Sequence, residues 1–179
     1  MARHTLFTRL WRKYVRALRR RPLRTKMLTS GTLMGVSDAM AQKISGTDSI
    51  KLWRTALMAL YGLLWVGPTG HYWHEVCESF FSKRRDNATV IRKVAVEQLT
   101  YGPVQNVSMM IYLGLIIKGK AWNTVVSKIR ADLLRVQVAA WKIWPLAALI
   151  NHKFVPIQLR VLFMNLVALF WSSPLTLNH

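Results

Sequence analysis

Four apolar stretches alternate with short basic clusters, and this alternation limits the possible folds more than any other feature of the sequence. A helix needs about 20 apolar residues to cross a hydrocarbon core of roughly 30 Å. The first stretch covers about 25–44, and the second about 51–81 with a Gly67-Pro68 step inside it. The third covers about 93–117 and contains Gly102-Pro103. The last, about 139–171, exceeds one simple span and is divided by Pro145 and Pro156. It predicts an interfacial helix up to Phe154 and a final span over 155–173. The fold expected is therefore an all-α integral membrane protein, a four-span helical bundle. Residues 1–24 form a basic amphipathic N-terminal segment, residues 25–173 the bundle, and residues 174–179 a short tail. Pro68, Pro103, Pro145 and Pro156 are expected kinks, which membrane helices tolerate where neighbours re-satisfy the freed backbone groups.

Charge supports this reading through its placement. The 179 residues carry 26 Lys and Arg against 7 Asp and Glu, a net charge of +19. On a soluble chain that excess would point to nucleic acid or another anionic surface. Here ten basic residues fall between Arg3 and Lys26, no acid precedes Asp38, and most other bases sit between apolar stretches. A charge at the bilayer centre costs a few kcal/mol or more, so membrane proteins keep charge at span ends. Direct nucleic-acid binding is not expected; the expected partner is a bilayer containing anionic lipid. The single cysteine, Cys77, excludes an intramolecular disulfide framework and a Cys-based zinc site.

The N-terminus combines an apolar face with a basic one. Leu6, Phe7, Leu10, Trp11, Tyr14, Val15 and Leu18 recur at helical spacing, with Arg9, Arg12, Lys13, Arg16 and Arg19 between them. This predicts a helix lying on an anionic membrane surface. A mitochondrial address, removable on import, fits the same residues. Bases before the first span and after the second (Lys83, Arg84, Arg85, Arg92, Lys93) place both termini in the matrix or cytosol.

Several polar residues interrupt the apolar stretches. Gly31, Gly35 and Ala39 are spaced four apart, a small-residue pattern that lets helices approach closely. Asp38 and Gln42 fall on nearly the same face, so they point into the bundle. Glu97, Gln98, Tyr101, Gln105, Ser108 and Tyr112 project within about 100° of one another on an ideal helix. Such a stripe suits a water-lined path and equally suits hydrogen bonding between helices. Arg160 is a plausible partner for Asp38 or Glu97, and Arg54 could snorkel to the interface. The run His71-Tyr72-Trp73-His74-Glu75 is not the zinc-protease order and fits an interfacial aromatic belt better than a metal site. No phosphate loop, nucleophile elbow or catalytic constellation is visible, so neither enzymatic activity nor a cofactor or metal is expected.

These motifs can be read together: Pro22 with Thr25, Ser30-Gly31, Asp38-x-x-x-Gln42, Gly67-Pro68-x-x-His71-x-Trp73, and Glu97-Gln98 with Pro103. Trp141-x-x-Trp144-Pro145, Asn151, Val155-Pro156-x-x-x-Arg160 and Trp171 complete the set. In that order they resemble the family of Mpv-17 and peroxisomal membrane protein 2, over about residues 11–171. The resemblance implies a multi-span protein of the mitochondrial inner membrane, or alternatively the peroxisomal membrane. It implies either a weakly selective channel for small solutes or ions, or a factor in mitochondrial DNA maintenance or ribosome assembly. As a channel, the chain would line its path with Asp38, Gln42, Glu97, Gln98, Gln105, Asn151 and Arg160, and a homo-oligomer would enlarge the lumen. The sequence departs from the family pattern at Ser37, Glu97, Ala148 and His152, where relatives usually carry Gly, Asp, Gln and Phe.

Overall fold

The structure is a computed structural model and describes residues 6–46, 49–81 and 85–175. Arg3, Asp48, Lys83, Arg84 and the tail from residue 176 onward lie outside the described residues. Every regular element described is helical. In order these are α1 (Leu6–Arg20), α2 (Pro22–Ile44), α3 (Leu52–Tyr61), α4 (Gly67–Phe80), α5 (Asn87–Val96), α6 (Gly102–Tyr112), α7 (Trp122–Ala140), α8 (Trp144–Phe154) and α9 (Arg160–Leu175). π-helical turns join α3 to α4 (Gly62–Val66) and α5 to α6 (Glu97–Tyr101), and a third follows α6 (Leu113–Ile117).

The two Gly-Pro steps explain the first two π turns. A proline inside a helix has no N–H, and its ring crowds the carbonyl four residues earlier. In each case the glycine before it reaches back five residues instead, Gly67 N–H to Gly62 O and Gly102 N–H to Glu97 O. The wider turn moves the crowded carbonyl aside and lets the helix continue. Pro68 and Pro103 therefore mark irregularities, as expected. Pro145 and Pro156 are not kinks within helices. Pro145 lies in the first turn of α8, where a missing N–H costs nothing, and Pro156 lies between α8 and α9.

Other boundaries differ from the expected ones. The third helical segment begins at Asn87, because the Asp86 carboxylate caps it by accepting from the Thr89 N–H at 3.1 Å. The last helix begins at Arg160 rather than at residue 155. α1 does not run smoothly into α2: Arg21 leaves helical geometry at φ −139° and ψ 67°, and Pro22 opens the next helix. Gly46, just past α2, adopts φ 72°, a left-handed conformation open to glycine at little cost. Among the described residues no single helix is long and apolar enough to cross a membrane alone. α7 and α8, bent by 52°, reach that length and apolarity together. The cause lies in the sequence: α2 is diluted by Lys26, Asp38 and Gln42, and the next two helical segments are divided by π turns.

The chain divides into two compact units, residues 1–72 with 157–179, and residues 73–156. In the first unit α2 is the central helix and packs against α1, α3, the π turn that follows α3, and α9. Four glycines make that packing close. A methyl group added at Gly31 would lie 3.0 Å from the Ala59 carbonyl oxygen, and one at Gly35 would lie 3.2 Å from Ala59 Cβ. At Gly62 it would meet the Ser30 carbonyl oxygen at 2.5 Å, and at Gly67 the Met27 Cα at 2.6 Å. The small-residue pattern of α2 is thus answered by a second pair of glycines on the partner strand of helix. In the second unit α5 packs on α8 and α6 on α7, and Gly114 faces the Val125 side chain.

Candidate functional site

The buried face of α2 is polar along most of its length. Lys26, Ser30, Asp38 and Gln42 are all buried, and residues 26–42 span about 24 Å at 1.5 Å per residue. Each is held by a neighbour. Lys26 Nζ lies 3.0 Å from His71 Nδ1, and Asn165 on α9 donates to Ser30 Oγ at 2.8 Å. The Asp38 carboxylate has Arg54 Nε at 2.9 Å from Oδ1, a charge contact whose angle falls short of a hydrogen bond. Its Oδ2 accepts from Thr55 at 2.9 Å and from Gln42 Nε2 at 2.7 Å. Gln42 in turn accepts from the Lys51 backbone N–H at 2.8 Å. Burying a carboxylate is tolerable only when it is paired and hydrogen-bonded, and Asp38 meets both conditions.

Arg54 is therefore a partner of Asp38 rather than simply a snorkelling residue. Its side chain stays 39% exposed while that of Asp38 is 1% exposed, so this network reaches the outside through the guanidinium. Arg160, expected as the partner, is itself almost completely buried.

The second unit buries its polar groups in another cluster. Glu97 opens the π turn after α5, and His152 Nε2 lies 2.7 Å from its Oε2. Trp73 donates its indole N–H to the same oxygen at 3.2 Å and stacks on Tyr101, with ring centroids 5.0 Å apart. His74 meets the His152 ring edge-on at 5.7 Å. The ligand atoms of His74, Glu97 and His152 all lie within 4.8 Å of one another, and all three residues are buried. Nearby in sequence, Lys93 is fully buried and bonds Glu78 at 2.8 Å.

His71 and His74 are thus interior residues, which corrects the aromatic-belt reading; on that run Tyr72 and Glu75 are exposed. The two histidines, one turn apart, have different neighbours: Lys26 for His71, and Glu97 with His152 for His74. Of the third-span stripe, Glu97 and Gln98 are buried, while Gln105, Ser108 and Tyr112 are half-buried. Asn106, outside the projected stripe, donates to the buried Gln137 at 2.8 Å. A 100° projection could not follow a helix that widens to a π turn at both ends of α6. Asn151 is completely buried, and its carboxamide has no protein hydrogen-bond partner among the described residues. The role of His152 was not legible beforehand; its only signal was the departure from the family pattern. Outside the bundle, α1 is tied to α2 by a 3.1 Å contact between the Tyr14 hydroxyl and Thr29 Oγ1, and burial raises the Tyr14 pKa.

Most of the chain is similar to known proteins. The chain is 40% identical to the peroxisomal membrane protein PMP22 of Arabidopsis thaliana over 93% of its length and 87% of that protein's. It is 31% identical to the mitochondrial inner membrane protein Mpv17 of Caenorhabditis briggsae, over 92% of this chain and 90% of that one. Residues 115–176 match the Mpv17 / PMP22 family. The chain belongs to this family. No solved structure matches it. Family membership confirms the resemblance read from the motifs, and the structure shows the all-helical class. The similar proteins belong to the mitochondrial inner membrane and to the peroxisomal membrane, the two locations expected for this chain.

Proposed function

We propose that this family member is a weakly selective channel for small solutes or ions, whose path follows the polar face of α2. The observation that carries the proposal is the run of buried polar side chains over about 24 Å, close to the hydrocarbon thickness of a bilayer. An anchor helix would fill that face with apolar side chains, because intramembrane charge is expensive and marks solute pathways. The mutual pairing of Asp38, Arg54, Thr55 and Gln42 describes a closed state. In this reading the bundle spans four times, with weakly apolar helices turning their polar faces inward. A bundle of this size encloses little lumen, so a homo-oligomer belongs to the proposal. The chain acts without catalysis.

The test is conductance of the purified chain in planar bilayers. Discrete steps are expected, with reduced cation preference in Asp38→Asn and a larger open fraction in Arg54→Gln. Silent bilayers with verified insertion overturn the proposal.

One observation favours a second reading, that of a non-conducting assembly factor. α1 carries Leu6 at 74% and Leu10 at 55% exposure among its arginines, a surface suited to docking on anionic lipid or on an RNA-rich particle. Crosslinking from residues 6–20 in intact organelles tests it. Deletion of that helix without loss of any crosslinked partner or phenotype removes it.

A further inference from the structure

We infer that His74, Glu97 and His152 bind one divalent first-row transition cation of the zinc class. The three residues come from α4, the π turn after α5, and α8, and nothing but the fold brings them together. Two imidazoles and a carboxylate form the donor set used for zinc and iron(II) sites with an open coordination position. All three ligand atoms lie within 4.8 Å of one another and all three side chains are buried. Tetrahedral coordination at about 2.1 Å sets ligand atoms about 3.4 Å apart. The 2.7 Å contact between His152 and Glu97 opens slightly on binding, and His74 closes in.

A hydrogen-bonded imidazole–carboxylate pair accounts for Glu97 and His152 alone. A second buried histidine, His74, has a ring nitrogen within 4.8 Å of both other ligand atoms. A cation accounts for all three, because it gives two imidazole lone pairs and one carboxylate a common positive centre in a buried setting where charge is otherwise costly. Trp73 supplies the outer support, since its indole N–H on Glu97 Oε2 fixes the orientation of the carboxylate. Three protein ligands leave a fourth position for water or a small anion. The bound ion ties three separate stretches of the second unit together, so binding stabilises the folded state.

The experiment uses the full chain in nanodiscs, stripped with a chelator and titrated with Co²⁺ and Zn²⁺. One Co²⁺ per chain is expected, with visible bands of a four- or five-coordinate ion, and Zn²⁺ raises the thermal midpoint. His74→Ala and His152→Ala weaken binding by more than about 100-fold, while Trp73→Phe weakens it by about 10-fold. His71→Ala, one turn earlier on the same helix but in contact with Lys26 and outside the cluster, leaves it unchanged. X-ray absorption at the zinc edge of the wild-type chain needs no variant, and is expected to show two imidazoles with oxygen ligands. Folded wild-type chain that fails to bind, binding untouched by His74→Ala, or an absorption spectrum without imidazole scattering overturns the inference.

Discussion

The two units bury charge in different company. In residues 1–72 and 157–179 the buried carboxylate, Asp38, meets a guanidinium, a permanent cation, and is braced by Thr55 and Gln42. Residues 73–156 also hold a lysine–glutamate pair, Lys93 with Glu78, but there the buried Glu97 carboxylate meets an imidazole and an indole instead of a permanent cation. The helices around them differ in the same sense. At Gly31, Gly62 and Gly67 the nearest neighbour across the seam is backbone, whereas at Gly114 in the second unit it is the branched side chain of Val125. Close backbone packing with a fixed ion pair specifies one arrangement. Side-chain packing around histidines leaves a cluster able to take a ligand.

The largest expected effect tests the packing side of this contrast. Gly67→Val places a branched side chain where even a Cβ would lie 2.6 Å from the Met27 Cα, and backbone cannot give way as a side chain can. A loss of about 3 kcal/mol is expected, against about 1 kcal/mol for Gly114→Ala, whose clash is with Val125 side-chain atoms. Unfolding of both variants in detergent measures the difference, and equal losses erase the contrast.

Next comes the ion pair. Arg54→Gln removes the charge facing Asp38 and is expected to cost about 1.5 kcal/mol, between an exposed ion pair and a fully buried one. That is less than for a fully buried pair, because Arg54 is 39% exposed and Thr55 and Gln42 still donate. The double variant Arg54→Gln with Asp38→Asn should recover part of the loss in the same unfolding measurement. A purely additive double variant shows that the pair is not coupled.

A smaller effect sharpens the description of the second unit. Asp86→Ala removes the cap that starts α5 at Asn87, at a cost of about 1 kcal/mol. Hydrogen exchange of the amides of residues 87–90 should rise while that of α2 does not change. The smallest effect belongs to α1. Tyr14→Phe should lose about 0.5–1 kcal/mol of α1 docking at neutral pH. The Tyr14 pKa is raised above 10.0, mainly by burial, so its contribution is fully present below the unfolded pKa and fades as pH rises through the folded one. The gap in thermal midpoint between wild type and Tyr14→Phe should therefore shrink above about pH 10. A gap that widens there contradicts the assignment.

What the sequence determined by itself is the helical class, the polar face of α2 and the family. Each depends on local spacing: apolar runs, residues four apart on one turn, and motif order, all of which survive without knowing which helix lies beside which. Asp38 and Gln42 were placed inward correctly because both lie on the same uninterrupted helix as Gly31 and Gly35. The choice of Arg54 as partner, the seam made with Gly62 and Gly67, and the meeting of His74, Glu97 and His152 were decided by tertiary structure alone. These contacts join residues 16 to 78 positions apart, and the π turns shift the helical phase between them. Periodicity carries no information across such a shift. The opening feature, apolar stretches set between basic clusters, therefore fixes what kind of molecule this is. Which buried charge meets which follows only from how the helices pack.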